Sequence, residues 1–507
     1  MKTAIPYLLT AILLLASCSK LEEDTSQITP YNELFASEER AALFTQQVYA
    51  NFSPETVMNG GAMLSEIVSD EMARLNRLDI FGWSYFPELY RHFFQTLLWE
   101  NTNLQVWSNL YRMIETSSQV IVLMENSPYQ EVVQPYLAEL KVFRAYFYLQ
   151  LIDLYGNVPI VETSSPNPLP CTRSRQEVFD FIEKSILDNL AHLEKDNGEI
   201  RNDRINYYSA QAILAKLYLN AGVYTGVPTW DKAAAACDAI ISSGQYALLD
   251  YYFDNFNSFQ TGTRETIFAA ICQYDQPCWL PYHFSSLAPV HLAMLKNIAT
   301  IGFPDDLVVP PDFYDLFDVD DIRLKMFYQG PQLDAQGNPI LDDQADDPDG
   351  PALNYTRDFD ILNPLRQDGI RFAKFEITDC QTNDNFLTCY YSDLAFPIFR
   401  YSDILLMKAE ALLRQNTDPG TALSLVNEVR ERSGANPLGE LTLDELLAER
   451  GRELFAEGWR RSDLIRFGKF NDARWQKEAD ADDHVNLFPI PQNNSYNSPC
   501  MVQNPGY

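Results

Sequence analysis

The chain has 507 residues, 46% of them hydrophobic, and a formal charge of -32. That length can bury a large core and leaves room for more than one domain. Such an excess of carboxylates repels phosphate backbones and anionic lipid surfaces, which argues against nucleic acid as a partner and favours neutral or cationic ligands.

At the N-terminus, Lys2 precedes an apolar run from Ile5 to Leu15 that is too short to cross a bilayer and has the proportions of a secretory signal. The run ends in Leu15-Ala16-Ser17-Cys18, which resembles a bacterial lipobox. There the signal (1–17) is removed and the Cys18 thiol takes a diacylglycerol, with further acylation (palmitate) of the new amino terminus. Several chains at one point give stable anchoring, whereas one chain binds only marginally. Residues 18–30 then form an acidic tether around Glu22-Glu23-Asp24, leading to a single body over 31–507.

Within the body, paired amphipathic helices predominate. An early pair combines Glu38 to Phe52 with Val106 to Met124. Leu140, Phe143, Phe147, Leu151 and Leu154 then share a helical face before Gly156, and Phe179, Ile182, Ile186 and Leu190 form the partner face. The stripe Ala210, Ile213, Leu214, Leu217, Tyr218, Ala221 predicts a helix capped by Gly222. Its return runs from Trp230 through Cys237 to Ile241. A late pair sets Tyr401, Leu405, Ala409 and Leu412 against Ala422, Leu425, Val426 and Val429 across Asp418-Pro419-Gly420. The last two pairs approach the roughly 34-residue length of a tetratricopeptide unit. The fold class expected is mostly α, with tetratricopeptide-like hairpins as a scaffold; a generic helical bundle is the plainer alternative.

Between about 246 and 398 prolines, glycines and aspartates crowd out helical periodicity. Glu265 to Ile271 and Ile370 to Ile377 predict small hairpins, and the run from Asp342 to Asp349 predicts a solvated acidic loop. That loop lacks the alternating ligand spacing of an EF-hand, so calcium is not expected there. The body divides into an N-terminal part, about 31–245, and a C-terminal part, about 260–507, which contains most of the insertion.

Export permits disulfides. Beyond Cys18 the cysteines are Cys171, Cys237, Cys272, Cys278, Cys380, Cys389 and Cys500. Cys272/Cys278 and Cys380/Cys389 lie close enough in sequence to clip local loops, whereas Cys237 reads as a buried thiol. No Cys-x-x-Cys pair occurs and the five histidines are scattered, so neither zinc nor any other cofactor is expected.

Near the C-terminus, Thr442 and Glu445 predict a capping box. The segment Arg400-Tyr401-Ser402-Asp403-Ile404-Leu405-Leu406-Met407-Lys408-Ala409-Glu410-Ala411 follows an Arg-x-x-Asp-x-x-Leu-x-x-Ala-Glu-Ala pattern. Glu449-Arg450-Gly451-Arg452-Glu453-Leu454, Glu457-Gly458 with Arg460 and Asp463-Leu464, Phe488-Pro489-Ile490-Pro491 and Gln503-Asn504-Pro505-Gly506-Tyr507 complete the order. Together these motifs resemble the SusD/RagB family of nutrient-binding outer-membrane lipoproteins. Arg450, Arg452, Arg460, Glu453, Glu457 and Asp463 are spaced for ion pairs. A catalytic reading of Glu453 and Glu457 fails, because an acid/base pair needs its two carboxyl pKa values pushed apart.

The resemblance implies a non-enzymatic surface receptor that captures an oligo- or polysaccharide, or a peptide, for a SusC-like TonB-dependent transporter. It also makes the acidic tether similar to a Bacteroidota surface-export signal, placing the lipid-anchored chain on the cell exterior. Alternatives are a tetratricopeptide-type peptide receptor and, less favoured, a tethered glycoside hydrolase. Sugar C–H faces stack on aromatic rings while carboxylates, amides and guanidinium groups bond the hydroxyls. Candidate ligand residues are therefore aromatics outside helical stripes and their polar neighbours. These are Trp83 and Tyr85 after Gly82, Trp99 and Asn101 just before the helix bearing Trp107 and Tyr111, Trp279 and Tyr282 beside Cys278, and Asp70 with Arg74. Ordinary loop packing is the competing role for each; Trp107 and Tyr111 have core spacing.

Overall fold

In the computed structural model the described residues are 33–76, 86–94, 97–162, 170–195, 202–256, 263–271, 286–296, 307–342, 350–375, 395–491 and 500–507. Helices Leu97–Glu125 and Gln130–Tyr155 pack side by side across a short turn. The Gln130 side-chain amide closes that turn by donating to the Met124 and Ser127 carbonyls at the end of the first helix and in the turn after it. Leu140, Phe143, Phe147, Leu151 and Leu154 are all buried, so the sequence stripe is the packing face. Each such side chain contributes about 1.5–3 kcal/mol by leaving water. Helix Arg175–Leu187 covers the next groove and opens with a reciprocal capping box between Ser174 and Glu177.

Helices Tyr207–Leu219 and Trp230–Ile241 form the second hairpin, and Tyr401–Gln415 with Pro419–Arg432 the third. Helix Trp230–Ile241 also packs on Tyr401–Gln415, so the hairpins stack as tetratricopeptide units do. Cys237 is a buried free thiol at that contact. Gly222 does not cap its helix. The first helix ends at Asn220, whose amide donates to Lys216 O, and a short helix Ala221–Thr225 follows. Gly226, at φ 78°, takes the left-handed capping position instead.

The insertion is built by long-range pairing. Strand Thr266–Ile271 pairs antiparallel with Ala395–Arg400, and both strands are almost wholly buried. Arg371–Phe372 pairs with Phe327–Tyr328. The two β-rich runs are therefore not local hairpins; continuous apolar runs found partners far along the chain because both faces are covered. A small hairpin does occur at Leu333–Pro339, turned by Asp334, which accepts from the Gln336 and Asn338 amides. Asp342 also departs from expectation. It is fully buried, accepting from Arg366 and facing His291, because those partners compensate its desolvation. The rest of the acidic run, 343–349, lies outside the described residues, as do both local cysteine pairs.

Cys171 and Cys500 are joined, with a sequence separation of 329. The C-terminal tail is further held by Asn504, whose side-chain amide donates to Tyr155 O and Phe488 O. Among the described residues no helix is long and apolar enough to cross a membrane, and no histidine, cysteine or carboxylate group is arranged to hold a metal ion.

Candidate ligand-binding clefts

The charged C-terminal motifs fold into a buried lattice of ion pairs. Arg400 donates to Glu265, Glu453 and Glu457, and Lys374 donates to Glu457. Arg323 bridges Asp321, Glu449 and Glu453. Arg450 joins Asp403 to Asp463, with Lys216 also on Asp403. Burial alone would raise the Glu453 carboxyl, but Arg432, Arg400 and Arg323 outweigh it and hold the group well below the usual range. Burial likewise opposes the charge of Glu449, yet three guanidinium groups bring it down to about 2. Glu453 thus has no proton to give near neutral pH, and the motif it belongs to is a structural clasp. Thr442 accepts from the Glu445 amide at 3.1 Å, making one half of the expected capping box.

The lattice reaches the surface through Arg460. Its Nε and Nη2 donate to the two oxygens of Asp70 at 2.7 and 2.8 Å, and Nη1 donates to Leu447 O. Burial works against the Asp70 charge, and Arg460 overcomes it, holding the carboxyl below its ordinary range. Two further carboxylates stand behind this pair. Glu71 accepts from the Ala456 amide at 2.8 Å and Glu66 from the Gly458 amide. Both are fully buried and adjacent: burial, then the neighbouring Glu66, push the Glu71 carboxyl well above its ordinary range, while burial raises Glu66 to about 7. Gly458 has φ 85°, and a Cβ there would come within 2.8 Å of Ala62 Cβ, so only glycine permits this approach.

Asp70 and Arg460 form one wall of a cleft of about 290 Å³, with Tyr90, Phe313, Lys469 and Trp475 on its other sides. Tyr90 donates from its hydroxyl to Trp475 O at 2.8 Å, and Trp475 packs edge-on against Tyr90 and tilted against Phe359. The Trp475 amide donates to Asp312. Arg474 separates this cleft from a larger chamber of about 1100 Å³ between residues 88–94 and 473–485. One Arg474 nitrogen donates to Val68 O and Tyr90 O and faces His92 Nε2. His92 is buried, which lowers its pKa to about 4, and its Nδ1 faces Asp480 at 2.7 Å. Neutral His92 can donate from Nδ1 to Asp480, while its Nε2 lies 2.9 Å from both Val68 O and an Arg474 nitrogen.

Of the residues expected to meet a ligand, Asp70 lines the smaller cleft, although both its oxygens are engaged by Arg460. Arg74 sits half-buried on strand Ala73–Arg74, paired with Leu307, outside both clefts. Trp99 and Asn101 do not precede the helix; it begins at Leu97 and includes them. The polar run contains no helix breaker, and Asn103 anchors it by donating to Pro489 O and accepting from the Tyr155 hydroxyl. Trp107 and Tyr111 are core residues, as their spacing indicates. Trp83, Tyr85, Trp279, Tyr282 and Cys18 lie outside the described residues. Trp475 and Arg474 were missed. They fall between two motif blocks, and an aromatic beside an arginine after Asn471-Asp472 was the available signal.

The sequence profile described as "SusD family" matches residues 354–507, and that described as "Starch-binding associating with outer membrane" matches 22–219. The starch-binding protein SusD of Bacteroides thetaiotaomicron is 29% identical over 411 residues, 73% of this chain and 72% of its own. A SusD-like protein of Bacteroides ovatus is 23% identical over 493 residues, covering 90% of this chain and 81% of its own. Among solved structures, a SusD homolog from Bacteroides thetaiotaomicron superposes with TM-score 0.71 at 19% identity, over 95% of this chain and 100% of that one. A laminarin binding SusD-like protein gives 0.70 at 22% identity, over 93% and 100%. With matched profiles at both ends and the same helical fold between them, the chain belongs to the SusD family.

Proposed function

We propose that this chain is a cell-surface lipoprotein that captures oligo- or polysaccharides and delivers them, uncut, to a SusC-like TonB-dependent transporter in the outer membrane. The observation that carries the reading is the pairing of the starch-binding profile with an open cleft that combines the half-buried Trp475 with Lys469 and carboxylates. A ring that accepts a sugar face and charged groups that bond hydroxyls stand there on a rigid ion-paired frame. The starch-binding SusD relative and the laminarin binding neighbour support a glycan rather than a peptide. Lipid on Cys18 would hold the body at the membrane, and the acidic tether after it supports exposure to the exterior.

A glycan array probed with the mature protein tests capture, and affinity purification from detergent-solubilised outer membranes tests delivery. Retention of array glycans and co-purification of a TonB-dependent barrel are expected. Peptide binding with no glycan retained would overturn the reading.

A further inference from the structure

The larger chamber holds polar groups and an aromatic ring that the fold itself leaves unused. Phe93 is 60% exposed. It follows His92, whose φ of 65° turns the chain sharply, and the Phe93 amide is tied back to Glu88 O at 2.9 Å. The backbone is therefore fixed while the ring stands in solvent. Arg91 donates from Nε to Gln476 O at 3.1 Å and, although its charge acts on Asp360, makes no ion pair within 4.0 Å among the described residues. Glu88 lines the same chamber, and its Oε2 is buried without a hydrogen-bond donor. Elsewhere in this protein the carboxylates and guanidinium groups of the interior lattice find each other; Glu88 and Arg91, one turn apart, do not. The other chamber charges balance: Lys477 donates to Asp480, and Arg474 and Glu478 add one charge of each sign.

An exposed ring beside one uncommitted cation and one uncommitted carboxylate is complementary to a neutral polyol with an apolar face. A lone cation would select an acidic ligand, and a lone carboxylate a cationic one. The volume, about 1100 Å³, lies at the upper end for small-ligand sites, which suits several linked rings better than one. We propose that this chamber is a binding subsite for a neutral oligosaccharide, with Phe93 stacking on a sugar face and Arg91 and Glu88 bonding its hydroxyls. The assignment rests on the glycan-capture reading above and adds to it a second site, next to the Trp475 cleft, and the charge class of the ligand.

The test uses the mature protein on an array of neutral and uronate-containing oligosaccharides, followed by calorimetric titration with the neutral oligosaccharide bound most strongly. Phe93→Ala is expected to weaken binding about tenfold and Phe93→Trp to restore it. Arg91→Ala and Glu88→Gln are each expected to cost about tenfold. Circular dichroism melting is expected to stay nearly unchanged in Phe93→Ala, because the residue is 60% exposed. Wild-type affinity in all three loss variants would overturn the subsite while leaving glycan capture intact. Selective binding of uronate-containing glycans would overturn the neutral class. No glycan bound by the wild type would overturn the capture reading and the subsite together.

Discussion

Replacing Glu66 by glutamine is expected to flatten the pH dependence of stability between about pH 4.5 and 7. In the folded chain burial raises the Glu66 carboxyl from its ordinary 4.5 to about 7, so the fold favours the protonated form. A raised folded value adds stability that is complete below the unfolded value and is lost as pH rises through the folded one. Over that window the loss is worth about 3 kcal/mol, at about 1.36 kcal/mol per pH unit. Unfolding entropy of about 2.1 cal/mol/K per residue makes this roughly 3 °C in Tm for a chain of this length. The Glu66→Gln side chain is neutral throughout and its carbonyl still accepts from the Gly458 amide. Differential scanning calorimetry at pH 5 and pH 8 should therefore show the wild type losing about 3 °C more than Glu66→Gln. Parallel profiles would refute the raised Glu66 carboxyl on which the prediction rests.

Arg400→Met leaves Glu265, Glu453 and Glu457 short of a buried cation and is expected to cost about 3–5 kcal/mol, read by urea unfolding. Cys171→Ser with Cys500→Ser is expected to lower stability by about 2–5 kcal/mol, seen as a lower urea midpoint than the oxidised parent. Asp70→Asn leaves Arg460, itself almost wholly buried, without its carboxylate and is expected to cost roughly 3 kcal/mol in the same assay. Cys18→Ala is expected to move the protein from the membrane to the soluble fraction on immunoblots, because no acyl chain remains to hold it.

Much of the scaffold was legible because helical packing is local. The stripe from Leu140 to Leu154 is buried as read, and of the late pair Tyr401, Leu405, Ala409, Ala422, Val426 and Val429 are buried while Leu412 and Leu425 are partly so. Cap chemistry was less secure: Gly222 looked like a terminus, but Asn220 ended that helix and the chain resumed for another turn. What the sequence hid was distance. Thr266–Ile271 reads as half a hairpin, yet its partner lies more than a hundred residues on, and nothing in either strand names the other. Cys171 and Cys500 pair across most of the chain for the same reason. The arginine and glutamate spacing near Glu453 announced an ion-paired clasp, while its other members, Arg323, Arg400 and Glu265, could be found only in space. Asp70 was singled out as a ligand group; it lies at the edge of the smaller cleft with both oxygens held by Arg460.

The central claim is capture without cleavage. Its most direct test incubates the mature wild-type protein with the array glycan it binds best, then separates protein-bound from free sugar and sizes both by chromatography. The expected result is glycan retained on the protein and recovered at its original length after release. Shortened products accumulating with time, or no retained glycan at all, would contradict the account.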